Sequence, residues 1–181
     1  YVTQRAPVVS GTCPNRVLAT TIHDFHVAHP GFERPVGGVV PGMLQAALDA
    51  ERKPVRGIDT AWNEQFHSWF RDSSSANAAT CRDLVLALDT ATGSYRRVDT
   101  AWFPIDDFAT LPGGGSNPFN ERLATPPSAR DRAFCAESHG DLVFQPGQVL
   151  TFGGSDDRWF FLDGRLIVDL GAVHPDTTFS V

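Results

Sequence analysis

The chain has 181 residues, a hydrophobic fraction of 41% and a net charge of −6, from 15 basic and 21 acidic residues. That supplies apolar side chain for one core and leaves two cramped, so a single domain is expected. The acidic balance, without a basic stripe, excludes nucleic acid as an expected partner, and no apolar run is long enough for insertion in a membrane as a helix.

In chain order, residues 1–19 carry Pro7, Gly11, Cys13 and Pro14 with little periodicity, and an arm laid across the surface is expected there. No basic-then-apolar leader opens the chain, which suits a mature form whose export signal has been cleaved. VLATTIHDF (17–25) alternates and is rich in β-branched residues, predicting a strand. Residues 43–48 are apolar and helix-friendly. Trp62, Phe66, Trp69 and Phe70 fall on one helical face, which Asp59 or Thr60 could cap. After the polar SSSANAAT come LVLAL (84–88), turn residues around Gly93, and YRRVDTAWF (95–103), read as strands. Residues 106–132 hold PGGG, NP and PP and predict a long loop. DLVF (141–144), VLTF (149–152), RWFFL (158–162) and RLIVDL (165–170) predict further strands, the last two joined by an Asp163-Gly164 hairpin turn. Many short strands with one or two short helices predict a mainly β, antiparallel sandwich over residues 20–181.

Asp156 and Asp157 stand directly ahead of RWFFL, where acids are normally excluded unless paired or bound to a metal. Two adjacent carboxylates suit calcium, which takes several oxygen ligands; the plainer reading is a turn whose carboxylates accept backbone N–H groups. The six histidines present no compact metal-ligand spacing. Glu137 and His139 lie two apart on one face of a predicted strand, where a structural hydrogen bond is the expected relation. No nucleophile elbow and no nucleophile–base pair is recognisable, so a non-enzyme is expected and a metal-dependent hydrolase is the weakest alternative. Cys13, Cys81 and Cys135 have no metal-site spacing; exported, they would give one disulfide and one further thiol, and in the cytosol three small buried residues.

IHDFHVAHPGFE (22–33), FHSWFRD (66–72), WFPID (102–106), FCAESHGDLVF (134–144) and GSDDRWFFLDGRLIVDLGAVH (154–174) together resemble the successive motifs of the fibro-slime domain, a branch of the protective-antigen type of β-sandwich. The resemblance covers roughly residues 20 to 176 and implies a secreted or cell-surface adhesion module whose partners are carbohydrate or surface proteins. In the flocculin-like lectins of that group an adjacent Asp-Asp pair, joined by a cis peptide, holds a calcium ion that binds sugar hydroxyls; here the pair is Asp156 and Asp157. Ser155 replaces the first of the family's three acids, Arg158 stands where a small apolar residue is usual, and further calcium ligands come from a loop beyond the hairpin. In an oxidised, exported sandwich Cys81 and Cys135 are expected to be bonded, with Cys13 free or paired elsewhere. The family's closing strands are expected to be missing after DLGAVH, the gap being filled by a disordered or cleaved tail or by a strand donated from another chain.

Overall fold

The computed structural model of the chain describes residues 2–5, 15–32, 37–57, 66–141 and 146–181. Its strands are β1 (Val2–Arg5), β2 (Asn15–Phe25), β3 (Asn77–Asp89), β4 (Ser94–Arg97), β5 (Phe134–His139), β6 (Leu150–Gly154), β7 (Arg158–Leu162), β8 (Arg165–Leu170) and β9 (Thr177–Ser180). Seven form one sheet in the order β5-β2-β3-β4-β1-β6-β9, every described pair antiparallel. β7 and β8 make a separate hairpin whose turn, Asp163-Gly164, takes φ 48° and 76°, the left-handed pair that an Asp-Gly hairpin turn requires. The mainly β, antiparallel architecture is the one predicted.

β2 decides where the core lies. It pairs with β3 from Asn15↔Ala87 to Phe25↔Asn77 and with β5 from Ala19↔His139 to Asp24↔Phe134. With a side-chain period of two, His23 and Phe25 point to one face and Ile22 and Asp24 to the other. On the first face Phe25 packs with Leu44, Phe66, Trp69, Phe70 and Ala133, and the hairpin closes over them with Trp159, Phe161 and Leu166. On the second, Ile22 and Ala78 pack under Ile105 and Phe108, carried by the long loop before β5. Each fully buried large side chain contributes about 1.5–3 kcal/mol by transfer from water. Trp159 and Phe161 face this core while Phe160 turns away and stacks on Phe152 at 4.3 Å, as the alternation of RWFFL predicts.

Several expectations are corrected. Residues 1–19 do not form only an arm: Val2–Arg5 is a strand inside the sheet, between β4 and β6, and β2 already begins at Asn15. Residues 43–48 are not helical, because their polar backbone is spent on neighbours. Leu166 N donates to Ala46 O at 2.9 Å and Leu48 N to Gly164 O at 3.0 Å, so the segment lies beside β8. The aromatic stripe closes into a single 3-10 turn, Phe66–Ser68, with ring centroids of Phe66 5.0 Å from Trp69 and 5.5 Å from Phe70; Trp62, Asp59 and Thr60 lie outside the described residues. β3 starts inside the polar stretch because Asn77 organises it, donating to Ser68 O and Arg71 O, each at 2.9 Å, and accepting from Ser73 N at 3.1 Å. β4 stops at Arg97, where the Asp99 carboxylate takes both Arg97 and Ala101 N into a turn. Of DLVF only Asp141 lies within the described residues. The sheet does not end open beside β6: β9 follows DLGAVH and pairs with β6 from Thr151↔Ser180 to Gly154↔Thr177.

The expected bond between Cys81 and Cys135 is not formed, and both are free thiols. Cys81 sits opposite Thr21 and Cys135 opposite His23, on the two strands that flank β2. Two inter-strand spacings of about 4.8 Å separate them before any stagger is added, which exceeds the Cα separation a disulfide spans. Cys13 lies outside the described residues.

Candidate functional site

β6 ends in Gly153 and Gly154, the chain turns through Ser155, Asp156 and Asp157, and Arg158 starts β7. The turn is held by its own acids. Asp156 Oδ1 accepts from Asp157 N at 2.8 Å, the Asp157 carboxylate accepts from Ala172 N, and His174 N donates to Ser155 O at 3.1 Å. Residues 155–157 and 171–174 are thus fastened side by side. Ala172 takes a left-handed φ of 70°, a strained conformation for a residue with a Cβ, and it is this conformation that carries the N–H donated to Asp157. Gly171 beside it has no room for a side chain, since a Cβ would fall 2.6 Å from Met43 Sδ and 2.7 Å from Val40 O.

The two carboxylates differ in environment. Asp156 is exposed and Asp157 half-buried. Burial, reinforced by the charge of Asp156, pushes the Asp157 carboxyl up to about 6, against the opposing pull of the Ala172 N–H, Arg158 and His174. Arg158 does not pair with either carboxylate. Its guanidinium lies along Gly154, where a Cβ would be 3.0 Å from Nε, and its Nη1 donates to Asp157 O at 2.8 Å. The Cys135 thiol is pushed well above its ordinary value by burial and then by Asp157 and Asp156, which makes it unreactive rather than a nucleophile.

The structure brings Asp156 and Asp157 to one turn as predicted, joined by a trans peptide, so the cis bond implied by the resemblance is absent. Both carboxylates take backbone N–H groups through Oδ1, which leaves Oδ2 of each for another partner. Among the described residues no three His, Cys, Asp or Glu side chains converge on a point that holds an ion. An ion at Asp156 and Asp157 would therefore complete its shell with backbone or water oxygens. Glu137 and His139 are elsewhere: Glu137 takes His139 Nε2 at 2.7 Å and Lys53 Nζ at 2.5 Å, a structural bridge between strand and loop.

Sequence reasoning missed two features. His174 is buried in the turn fastened to Ser155; its Nδ1 donates to Pro175 O at 2.8 Å and its Nε2 is buried without a partner. Asp24 is also fully buried, and the signal for it was present: the alternation that puts Ile22 inside puts Asp24 inside with it.

No protein-family model and no solved structure matches the chain. Three curated proteins of Dictyostelium discoideum are similar to most of it. Protein psiC is 28% identical over 183 residues, covering 91% of this chain and 34% of psiC. Protein psiJ is 28% identical over 187 residues, covering 92% of this chain and 26% of psiJ. Protein psiQ is 28% identical over 173 residues, covering 88% of this chain and 16% of psiQ. The chain therefore spans about a third of the length of these relatives, or less.

Proposed function

We propose that this chain is a fibro-slime-type, non-catalytic adhesion module, secreted or displayed at the cell surface, that binds carbohydrate through a calcium ion at Asp156 and Asp157. The observation that carries this reading is the disposition of the pair. Two adjacent carboxylates sit in the turn between β6 and β7, each with one oxygen fixed by a backbone N–H and the other uncommitted. Hard oxygen donors, pre-oriented and carrying charge that burial opposes, are what calcium selects. The five sequence segments that resemble the fibro-slime motifs support the same reading.

A second reading, a structural module that binds protein neighbours in a surface filament, coat or matrix, is favoured by one specific observation. Both carboxylates already serve as backbone acceptors: Asp156 takes Asp157 N within the turn, while the Asp157 carboxylate and Ser155 O fasten residues 155–157 to residues 171–174, a role that needs no ion. A glycan array run with calcium and with chelator separates the two. Glycan binding that chelator abolishes is expected for the lectin; silence on every glycan in both conditions refutes it and favours the structural role.

A further inference from the structure

The loop between β4 and β5 is folded on itself before it meets the sheet. Asn117 N donates to Ala109 O at 2.9 Å, and Asn120 Nδ2 to Ile105 O at 3.0 Å and to Phe108 O at 3.2 Å. The loop reaches β2 through Ile105 and Phe108, packed over Ile22, through Phe25 N donating to Ala133 O at 2.8 Å, and through Asn117 Nδ2 donating to Asp24 Oδ2 at 2.6 Å. Acids gather at this junction. Asp24 and Asp131 are fully buried and Glu121 nearly so. Asp131 Oδ2 accepts from Glu121 N at 3.0 Å, and Glu121 Oε2 from Arg132 N at 3.3 Å. Asp24 Oδ1 and Asp131 Oδ1 are buried and accept nothing.

The surroundings offer these two carboxyls no countercharge. Across the sheet Asp24 is flanked by Ala78 on β3 and Phe134 on β5, both apolar, and His23 points to the opposite face of β2. From the loop it faces Asp131, Glu121 and Asn117, while Asp131 faces Glu121 and Asp106. The arginines nearby are spent outward, on Asp106: Arg130 Nη1 lies 2.6 Å from its Oδ2 and Arg122 Nη1 3.9 Å. Arg132 is exposed, and among the described residues no lysine or arginine is buried. An unpaired charge in such a place costs far more than a neutral carboxyl, which leaves only a dipole unsatisfied. Burial first, and then the charges of Asp131 and Glu121, push Asp24 up to about 8 against the hydrogen bond from Asn117. Burial likewise pushes Asp131 up to about 7, with Glu121 and Asp106 adding to it and the N–H groups of Glu121 and Ala133 opposing.

We infer that Asp24 and Asp131 form a proton-operated clasp: the loop between β4 and β5 stays docked on β2 while these two acids hold their protons, and its grip weakens as they ionise. A carboxyl whose pKa is raised by docking contributes stability that is complete below its ordinary value and is lost as pH rises through the raised one. The window therefore runs from about pH 4 to about 8. Its upper part isolates the pair. Asp157 changes charge below it, near 6; His23 acts only as pH falls through 6.5; and the Cys135 thiol matters only as its ordinary value of 9.0 is approached. The loss falls on the loop, because docking is what brings Asp131 to the buried end of β2. The β7–β8 hairpin holds neither acid and covers the other face of β2, so it serves as an internal reference.

Amide hydrogen exchange of the whole chain between pH 6.5 and 8, in chelator and with each rate corrected for its intrinsic dependence on pH, tests the clasp. Protection of the Phe25 and Glu121 N–H groups, which bond to Ala133 O and to Asp131, is expected to fall roughly ten- to a hundredfold across that range, while the hairpin amides hold steady. Asp24→Asn keeps the size of the neutral carboxyl and cannot ionise; it is expected to cut the fall to a few-fold, and Asp131→Asn to reduce it by a smaller share. Protection at Phe25 and Glu121 that does not change between pH 6.5 and 8 overturns the inference, since the acids are then settled in one charge state. Junction and hairpin amides that lose protection together also overturn it, because the protons then stabilise the whole fold and no clasp exists. A fall that persists in full in both Asn variants removes Asp24 and Asp131 from the account. The unmodified chain, read against its own hairpin, carries the decision even if the buried substitutions prevent folding.

Discussion

Asp157→Asn should make the ion-free protein more stable, although it removes a side chain that accepts a hydrogen bond. Burial lifts the Asp157 carboxyl from 3.8 to about 6, so the folded state holds a proton that the unfolded state has already released. A carboxyl raised in the folded state contributes stability that is complete below its unfolded pKa and is lost as pH rises through the folded one. The window is therefore pH 4 to 6, and two pH units at 1.36 kcal/mol each give a cost of about 3 kcal/mol at pH 7. Asparagine keeps the size and one oxygen for Ala172 N–H, and it carries no charge. In chelator the variant should match the unmodified protein near pH 4 and exceed it by up to about 3 kcal/mol at pH 7. Calcium held at Asp156 and Asp157 should reverse that ranking, because the site loses a charged ligand in the variant. Urea unfolding of the two proteins between pH 4 and 7.5, in chelator, reads the difference directly. A variant that is less stable at pH 7, by an amount that does not change with pH, refutes the reasoning: the carboxylate is then a favourable acceptor and not a strained charge.

Three further outcomes are expected. Asn77→Ala strips the acceptor carbonyls of Ser68 and Arg71 and the N–H of Ser73 of their partner, and urea unfolding should register a loss of about 3 kcal/mol; a loss under half a kcal/mol refutes its organising role. His23, whose burial lowers its pKa below 6.5 against the pull of Asp72, should cost stability as pH falls through 6.5, at a slope approaching about 1.4 kcal/mol per pH unit; a His23→Gln protein with the same acid slope removes His23 from the account. Cys81, exposed, should react with iodoacetamide in the native protein while Cys135 reacts only on unfolding, and a peptide linking the two in a non-reduced digest would contradict the strand register.

Where periodicity and turn chemistry acted locally, the sequence was legible. RWFFL and RLIVDL fall on β7 and β8 residue for residue, because the Asp163-Gly164 turn starts the pairing at Leu162↔Arg165, although the register shifts between Phe160 and Phe161. VLATTIHDF sits within β2, where its β-branched residues mark a strand. What was illegible depended on partners far along the chain. Residues 43–48 have helical propensity, yet β8 needed an edge neighbour and took their backbone. Val2–Arg5 reads as irregular, and becomes a strand only because β4 and β6 present it with open edges on both sides. The site divides likewise: the Asp156–Asp157 pair is visible as adjacent letters, while the pinning of Asp157 by Ala172 depends on a left-handed residue that composition does not announce.

The placement of β1 bears on how copies of this chain could associate. It stands between β4 and β6, so four residues hold the block β5-β2-β3-β4 against the block β6-β9. Remove it and two inner strands become edges, each offering a row of unpaired N–H and C=O groups. A neighbouring molecule's identical strand would fit that slot in the same register, and two chains could trade it without making any contact that one chain does not already make. Association of that kind is favoured by concentration and limited by the rate at which the strand leaves its slot. Refolding at rising protein concentration, followed by size-exclusion chromatography, should therefore yield a dimer that returns to monomer only after unfolding. A monomer at every concentration would mean that the strand, once seated, is never released.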